Sequence, residues 1–143
     1  MKYDYFVAGR TRNRDQILAV LTTLRGAGKK VYCFLDNTYE NDNFAFSPEI
    51  DAEQSMQQFE AVENWRQDSG FQRIYKQDMD GLREAAAFIV VFPAGLSAHM
   101  EIGVAYGMGK KCYAIGSFEK PEPLYLMIDE CFDTADNLLE HLT

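Results

Sequence analysis

The sequence predicts an α/β fold, a doubly wound parallel sheet of five strands with helices on both faces. Short apolar runs alternate along the chain with longer segments whose apolar residues recur at helical spacing. One run, Ala87 to Phe92, is apolar throughout, as expected for a central parallel strand covered on both faces. Strand and helix in alternation call for right-handed crossovers, which gives a flavodoxin-like or Rossmann-like sheet with ligands beyond the carboxyl ends of its strands.

Tyr3 to Ala8 reads as the first strand, and Gly9 permits the tight turn into the polar run Arg10 to Asp15. Ile17, Leu18, Leu21 and Leu24 mark the first helix, with Gly26 and Gly28 as terminators. Val31 to Leu35 is the second strand. Asp36 to Pro48, dense in Asn, Asp, Ser and aromatic residues, predicts a mobile loop and a candidate lid. Glu49 to Gln67 is helical in pattern, with Met56, Phe59, Ala61, Val62 and Trp65 for packing, and Phe71 to Ala86 is the next helix. After the strand Ala87 to Phe92, Pro93 and Gly95 break the chain. A helix from Ser97 to Met108 ends at Gly109 with Lys110 and Lys111, which suit a helix C-terminus. Cys112 to Ile115 and Leu124 to Ile128 are the fourth and fifth strands, and Asp133 to Leu142 the closing helix.

With 143 residues and 47% apolar content, the chain predicts a single domain, 1–143, with a proper core. A net charge of -8 argues against a nucleic-acid polymer as partner, because phosphate backbones are bound through Lys and Arg. Cys33, Cys112 and Cys131 are odd in number and lack CxxC spacing, so they read as reduced core residues of a cytoplasmic protein. With two histidines and no cysteine pair, no metal site is expected. No apolar run approaches the roughly 20 residues that span a bilayer, and MKYDYF lacks a signal-peptide pattern.

The most informative stretch is SAHMEIGVAYGMGKK, residues 97 to 111, where a glutamate lies inside an apolar, glycine-rich helix. Burial raises a carboxyl pKa and a helix N-terminus lowers it. Glu101 is therefore either a dry anion ready to attack an electrophilic carbon or a simple complement to the helix dipole. The loops after the first, third and fourth strands should meet at one edge, bringing Gly9 to Asn13 near Ser97 and Glu101. In GRTRNR, Arg10, Arg12 and Arg14 beside a helix N-terminus suit a phosphate or another anion, and solvated surface is the plain alternative. Asp78 and Asp80 read alone as exposed acids, and His99 as a proton donor or a solvated residue. Gly103 and Gly107 form a GxxxG that fits close packing against the sheet or a neighbouring helix, since each glycine costs about 1 kcal/mol against alanine in a helix interior.

FVAGRTRN, YKQDMDGLREAAAFIVVF and MEIGVAYGMGKK, taken together, resemble the nucleoside 2-deoxyribosyltransferase family, including its branch of 2'-deoxynucleoside 5'-monophosphate N-glycosidases. The resemblance covers roughly residues 3 to 116. It implies that Glu101, in EIGVA, attacks C1' of the sugar and that Asp78 holds the sugar or assists the leaving base. It also implies that Gly9, Arg10, Thr11 and Arg12 bind sugar or 5'-phosphate, with Ser97 and His99 nearby. Gly95 stands where many members carry an aspartate, and His99 is not a general family feature. The resemblance implies no cofactor, a small nucleoside or nucleotide as ligand, and a homo-oligomer in which neighbouring subunits complete each site. Two rivals share the residues: a glycohydrolase of NAD or another ribonucleotide, and a non-catalytic nucleotide sensor.

Overall fold

In the computed structural model, which describes residues 1–37 and 51–142, five strands form one parallel sheet in the order β2-β1-β3-β4-β5. The strands are β1 (Tyr3–Ala8), β2 (Val31–Cys33), β3 (Ala85–Val91), β4 (Lys111–Ile115) and β5 (Glu130–Phe132). The helices are α1 (Arg14–Gly26), α2 (Ala52–Glu60), α3 (Ser69–Glu84), α4 (Leu96–Gly107) and α5 (Ala135–Leu142). This is the flavodoxin-like strand order, and its reversal between β1 and β3 opens a crevice at the carboxyl ends of those two strands.

Alternation along the strands divides the core in two. Tyr5 and Val7 of β1, with Ile89 and Val91 of β3, face Ile17, Leu21 and Leu24 of α1 and Leu138 of α5. Their neighbours Phe6, Ala8, Phe88 and Val90 face Leu82 of α3 and Ala98, Ile102 and Ala105 of α4. Both faces of the sheet are thus covered, and for that reason β3 can be apolar at nearly every position. It runs from Ala85 rather than Ala87, because Tyr3 of β1 pairs with Ala85 and extends the ladder backwards.

Three expected elements are corrected. Leu124 to Ile128 is not the fifth strand: Pro123 to Met127 forms a 3-10 turn opened by Pro123 and by the Glu122 carboxylate, which accepts from Leu124 N at 3.1 Å. The strand comes next, where Glu130 to Phe132 pairs with Tyr113 to Ile115. The second strand stops at Cys33, and Phe34 to Asp36 winds into a 3-10 turn tied to α1 by the Arg25–Asp36 ion pair. The helix expected over Glu49 to Gln67 ends at Glu60, since Asn64 takes a left-handed φ of 52° and a short 3-10 turn follows over Trp65 to Gln67. Trp65 is 51% exposed, with Arg66 over its ring, and so is not a core residue. Most of the expected lid, Asp36 to Pro48, lies outside the described residues. Cys33 and Cys112 are buried as expected, whereas Cys131 is exposed on the edge strand.

Among the described residues no helix is long and apolar enough to cross a membrane.

Candidate active site

At the β1/β3 crevice the turn after β1, the start of α4, the middle of α3 and the far end of α2 enclose a cavity of about 280 Å3. Its polar lining includes Arg10, Thr11, Asp78, Ser97 and Glu101, and its apolar wall includes Phe34, Met56, Phe59 and Ile74. The loops are pressed close to build it. A Cβ on Gly9 would lie 2.6 Å from Ile17 Cδ1, so the turn out of β1 has room for no side chain. A Cβ on Gly95 would come within 3.3 Å of Arg10 Cβ, and Asn13 Nδ2 donates to Pro93 O at 3.4 Å, which ties the same two loops together.

Glu101 is half-buried in the second turn of α4, past the first turn in which the helix dipole acts strongly. Burial decides its ionisation, with the nearby charge of Asp78 adding to it, and together they hold its carboxyl well above the usual range. Glu101 is therefore not the dipole-stabilised anion that its helix position suggests. Asp78 is pushed up to about 6 by burial, an effect that its hydrogen bond from Tyr32 partly offsets. Oδ1 of Asp78 accepts from the Tyr32 hydroxyl at 2.8 Å, and that hydroxyl accepts from Asn37 Nδ2 at 3.0 Å. Asp80, two residues on, behaves as an ordinary surface acid. It pairs with Lys76 and Arg83 and its pKa falls, chiefly through Lys76. Position on α3, not residue type, separates the two aspartates.

The two arginines also separate. Arg12 does not line the cavity and holds α2 through ion pairs to Glu53 and Glu60. Arg10 lines the cavity, and its guanidinium makes no hydrogen bond or ion pair among the described residues. Thr11 is buried, 6% exposed, and lines the same wall. Ser97 reaches it from the exposed first turn of α4.

His99 does not line this cavity. It faces a neighbouring one of about 290 Å3 that shares Arg10 and adds Ser117, Glu119, Lys120 and Tyr125. Its Nδ1 lies 2.7 Å from Gly95 O and its Nε2 2.8 Å from Tyr125 Oη. A carbonyl only accepts, so Nδ1 carries a proton, and in the neutral ring Nε2 accepts from the tyrosine. His99 thereby braces the Gly95 turn. The loop after β4 belongs to this second cavity and not to the one that holds Glu101.

A larger cavity, about 540 Å3, opens between α1 and α5 on the other face. Its lining has Asp133 and Asp136 but no cation and neither of the perturbed carboxyls, so chemistry rather than size selects the site. Among the described residues no three His, Cys, Asp or Glu converge as metal ligands.

Sequence reasoning missed Tyr32, Asn37 and Glu60. Tyr32 in VYCFL looks like any core aromatic. Gly81, in the middle of an otherwise helical run, was the available signal, because a Cβ there would lie 3.0 Å from three atoms of the Tyr32 ring. In comparisons with known proteins, no family model and no curated protein matches the chain.

What the cavity offers is two carboxyls of raised pKa, an apolar wall that includes two phenylalanines, and an arginine whose guanidinium has no partner among the described residues. Such a set suits displacement at an electrophilic carbon: a carboxylate attacks, a carboxylic acid protonates the leaving group, and a cation holds an anionic substituent.

Proposed function

We propose that the protein cleaves the N-glycosidic bond of a 2'-deoxynucleoside or its 5'-monophosphate. The observation that carries this reading is the pairing of Glu101 with Asp78 in one cavity, with a free arginine alongside. Ionised Glu101 attacks C1', and the C1'–N bond breaks with its electron pair passing to the base. The base takes a proton from the Asp78 carboxyl. The Asp78 carboxylate then accepts a proton from water, or from an incoming base, as that nucleophile displaces Glu101 from C1'.

The pair needs to hold one proton. Burial favours that proton on Glu101, and a substrate with developing positive charge at C1' favours charge on Glu101 and the proton on Asp78. Phe34, Phe59 and Met56 suit the face of a nucleobase. Arg10 suits a 5'-phosphate, and Thr11 and Ser97 suit sugar or phosphate oxygens.

A homo-oligomer belongs to the same reading. Leu96, Met100, Gly103 and Gly107 share a face of α4, Leu96 and Met100 are 75% and 63% exposed, and among the described residues a Cβ on either glycine would meet no atom within 4 Å. Packing among the described residues therefore gives no reason for the GxxxG, and a second copy of the chain seated there would supply one. Free cysteines suit the cytoplasm.

The test is release of base from a panel of deoxynucleosides, their 5'-monophosphates and NAD. Release from a deoxynucleoside or its monophosphate, abolished in Glu101→Gln, supports the reading. Release from NAD alone moves the protein to the ribonucleotide glycohydrolases, and tight binding without turnover makes it a sensor.

A further inference from the structure

Tyr32 is held on three sides. Its ring stacks on Phe6 with centroids 5.0 Å apart and meets Tyr3 edge-on at 5.6 Å. The third side is α3 itself, where Gly81 leaves room for the ring; a Cβ there would press on three ring atoms at 3.0 Å. A glycine inside a helix costs about 1 kcal/mol against alanine, and the seat it provides for Tyr32 lies less than one turn from Asp78 on the same helix. The ring is 9% exposed, so it has little freedom to swing.

We propose that Tyr32 is the positioning residue for Asp78: a clamped ring aims its hydroxyl at Oδ1, which fixes the carboxyl plane and leaves Oδ2 to the cavity and the leaving group. Asn37 completes the relay by donating to the Tyr32 oxygen, which directs the tyrosine proton toward the aspartate. The groups facing Asp78 are Tyr32 and Cys33 from β2 and Glu101 from α4, with Arg10 and Glu60 across the cavity. Of these Tyr32 alone donates a hydrogen bond to it among the described residues. A bond to the charged form favours that form, so removing it raises the pH at which Asp78 loses its proton.

The relay deepens the glycosidase reading and rests on it for its catalytic meaning, but its first test needs no substrate. Carboxyl carbon NMR of the full chain follows the titration of Asp78 in wild type and in Tyr32→Phe. The expected result is an upward shift of at least half a pH unit in the variant, with the fold intact by circular dichroism. Gly81→Ala, which keeps the hydroxyl but crowds the ring, should shift the midpoint in the same direction and by less. An unchanged Asp78 midpoint in folded Tyr32→Phe overturns the proposal.

The second measurement is base release. Tyr32→Phe should lower kcat about tenfold or more with little change in KM, and displace the Asp78 limb of the pH profile upward. A shifted titration in a protein that cleaves no nucleoside would leave the relay standing and remove the glycosidase reading. Full activity with an unshifted profile would remove the relay alone.

Discussion

Replacing Glu101 with glutamine separates its chemistry from its cost. The unfolded chain ionises Glu101 near its ordinary pKa of 4.5, while the folded protein keeps the proton to a much higher pH. Between those values the folded state binds more protons, so stability falls as pH rises. Asp78 acts in the same direction between about pH 3.8 and about pH 6. Glu101→Gln should therefore raise the thermal midpoint at pH 8 by roughly 3 °C or more, since one kcal/mol moves a domain of this size by about that much. It should do little at pH 4 and should abolish base release. Calorimetry at the two pH values checks the sign, and a lower midpoint at pH 8 would mean that the charge is stabilised by a partner. The same ionisation sets the rate. Because the pair must hold one proton, activity should climb as its first proton leaves, near the pH of about 6 at which Asp78 titrates, and fall at higher pH as the second leaves, and a profile flat from pH 5 to 8 would contradict that role. The arginines give a third test. Arg10→Ala should weaken use of a 5'-monophosphate by about ten- to a hundredfold relative to the free nucleoside, the 1.5 to 3 kcal/mol of a charge-assisted contact. Arg12→Ala, which frees α2, should affect both substrates alike. At this scale Glu101 and Gly9 stood out because each breaks a local rule, an acid inside an apolar helix and a glycine at a strand end, whereas Asp78 read like Asp80 as a surface acid and was singled out by the family resemblance alone. Which arginine faces the cavity was not legible, because Glu53 and Glu60, the partners that claim Arg12, lie more than forty residues away.

Elements differ in how much of their placement is local. β1, α1, α3 and α4 carry complete signals, a periodic apolar face with a terminating glycine or a capping aspartate such as Asp68, whose carboxylate accepts from Phe71 N at 3.1 Å. The region of β5 does not. Leu124 and Leu126 look like strand residues, yet they are 66% and 90% exposed, and the pairing that makes a strand of Glu130 to Phe132 is decided by β4. Asp129 helps to set that pairing: its carboxylate accepts from Cys112 N at 2.9 Å and its own N–H donates to Cys112 O at 2.8 Å. The face of α4 was half legible, since the GxxxG was plain and the side it faces was not. Gly107→Leu, placed on that open face, should leave the monomer folded, because none of the described residues is there to clash. If a second copy covers the face, the variant should lower oligomer size by light scattering and reduce activity with it. A wild type that is fully active as a monomer at micromolar concentration would remove the interface.

For the whole molecule, topology brings the chemistry together. Arg10 follows β1, Asp78 precedes β3 and Glu101 follows it, and they converge only because β1 and β3 are parallel neighbours at the point where strand order reverses. The meeting of the loops after β1 and β3 was legible from the alternation of elements; the place of Asp78 was not, and the loop after β4, expected at the same edge, lines the neighbouring cavity. The contribution of α2, which brings Met56, Phe59 and Glu60 over the cavity, depends on ion pairs and on the stacking of Phe59 with Phe71 at 4.5 Å, neither of which has a sequence signature. The central claim is that a carboxylate in this cavity forms a bond to C1' of a sugar. A 2'-deoxy-2'-fluoro nucleoside slows breakdown of such a bond, so mass spectrometry of the digested protein tests it directly. The account predicts one sugar adduct per chain on the peptide that contains Glu101, lost in Glu101→Gln; an adduct on any other peptide, or turnover of the natural substrate with no adduct at all, would contradict it.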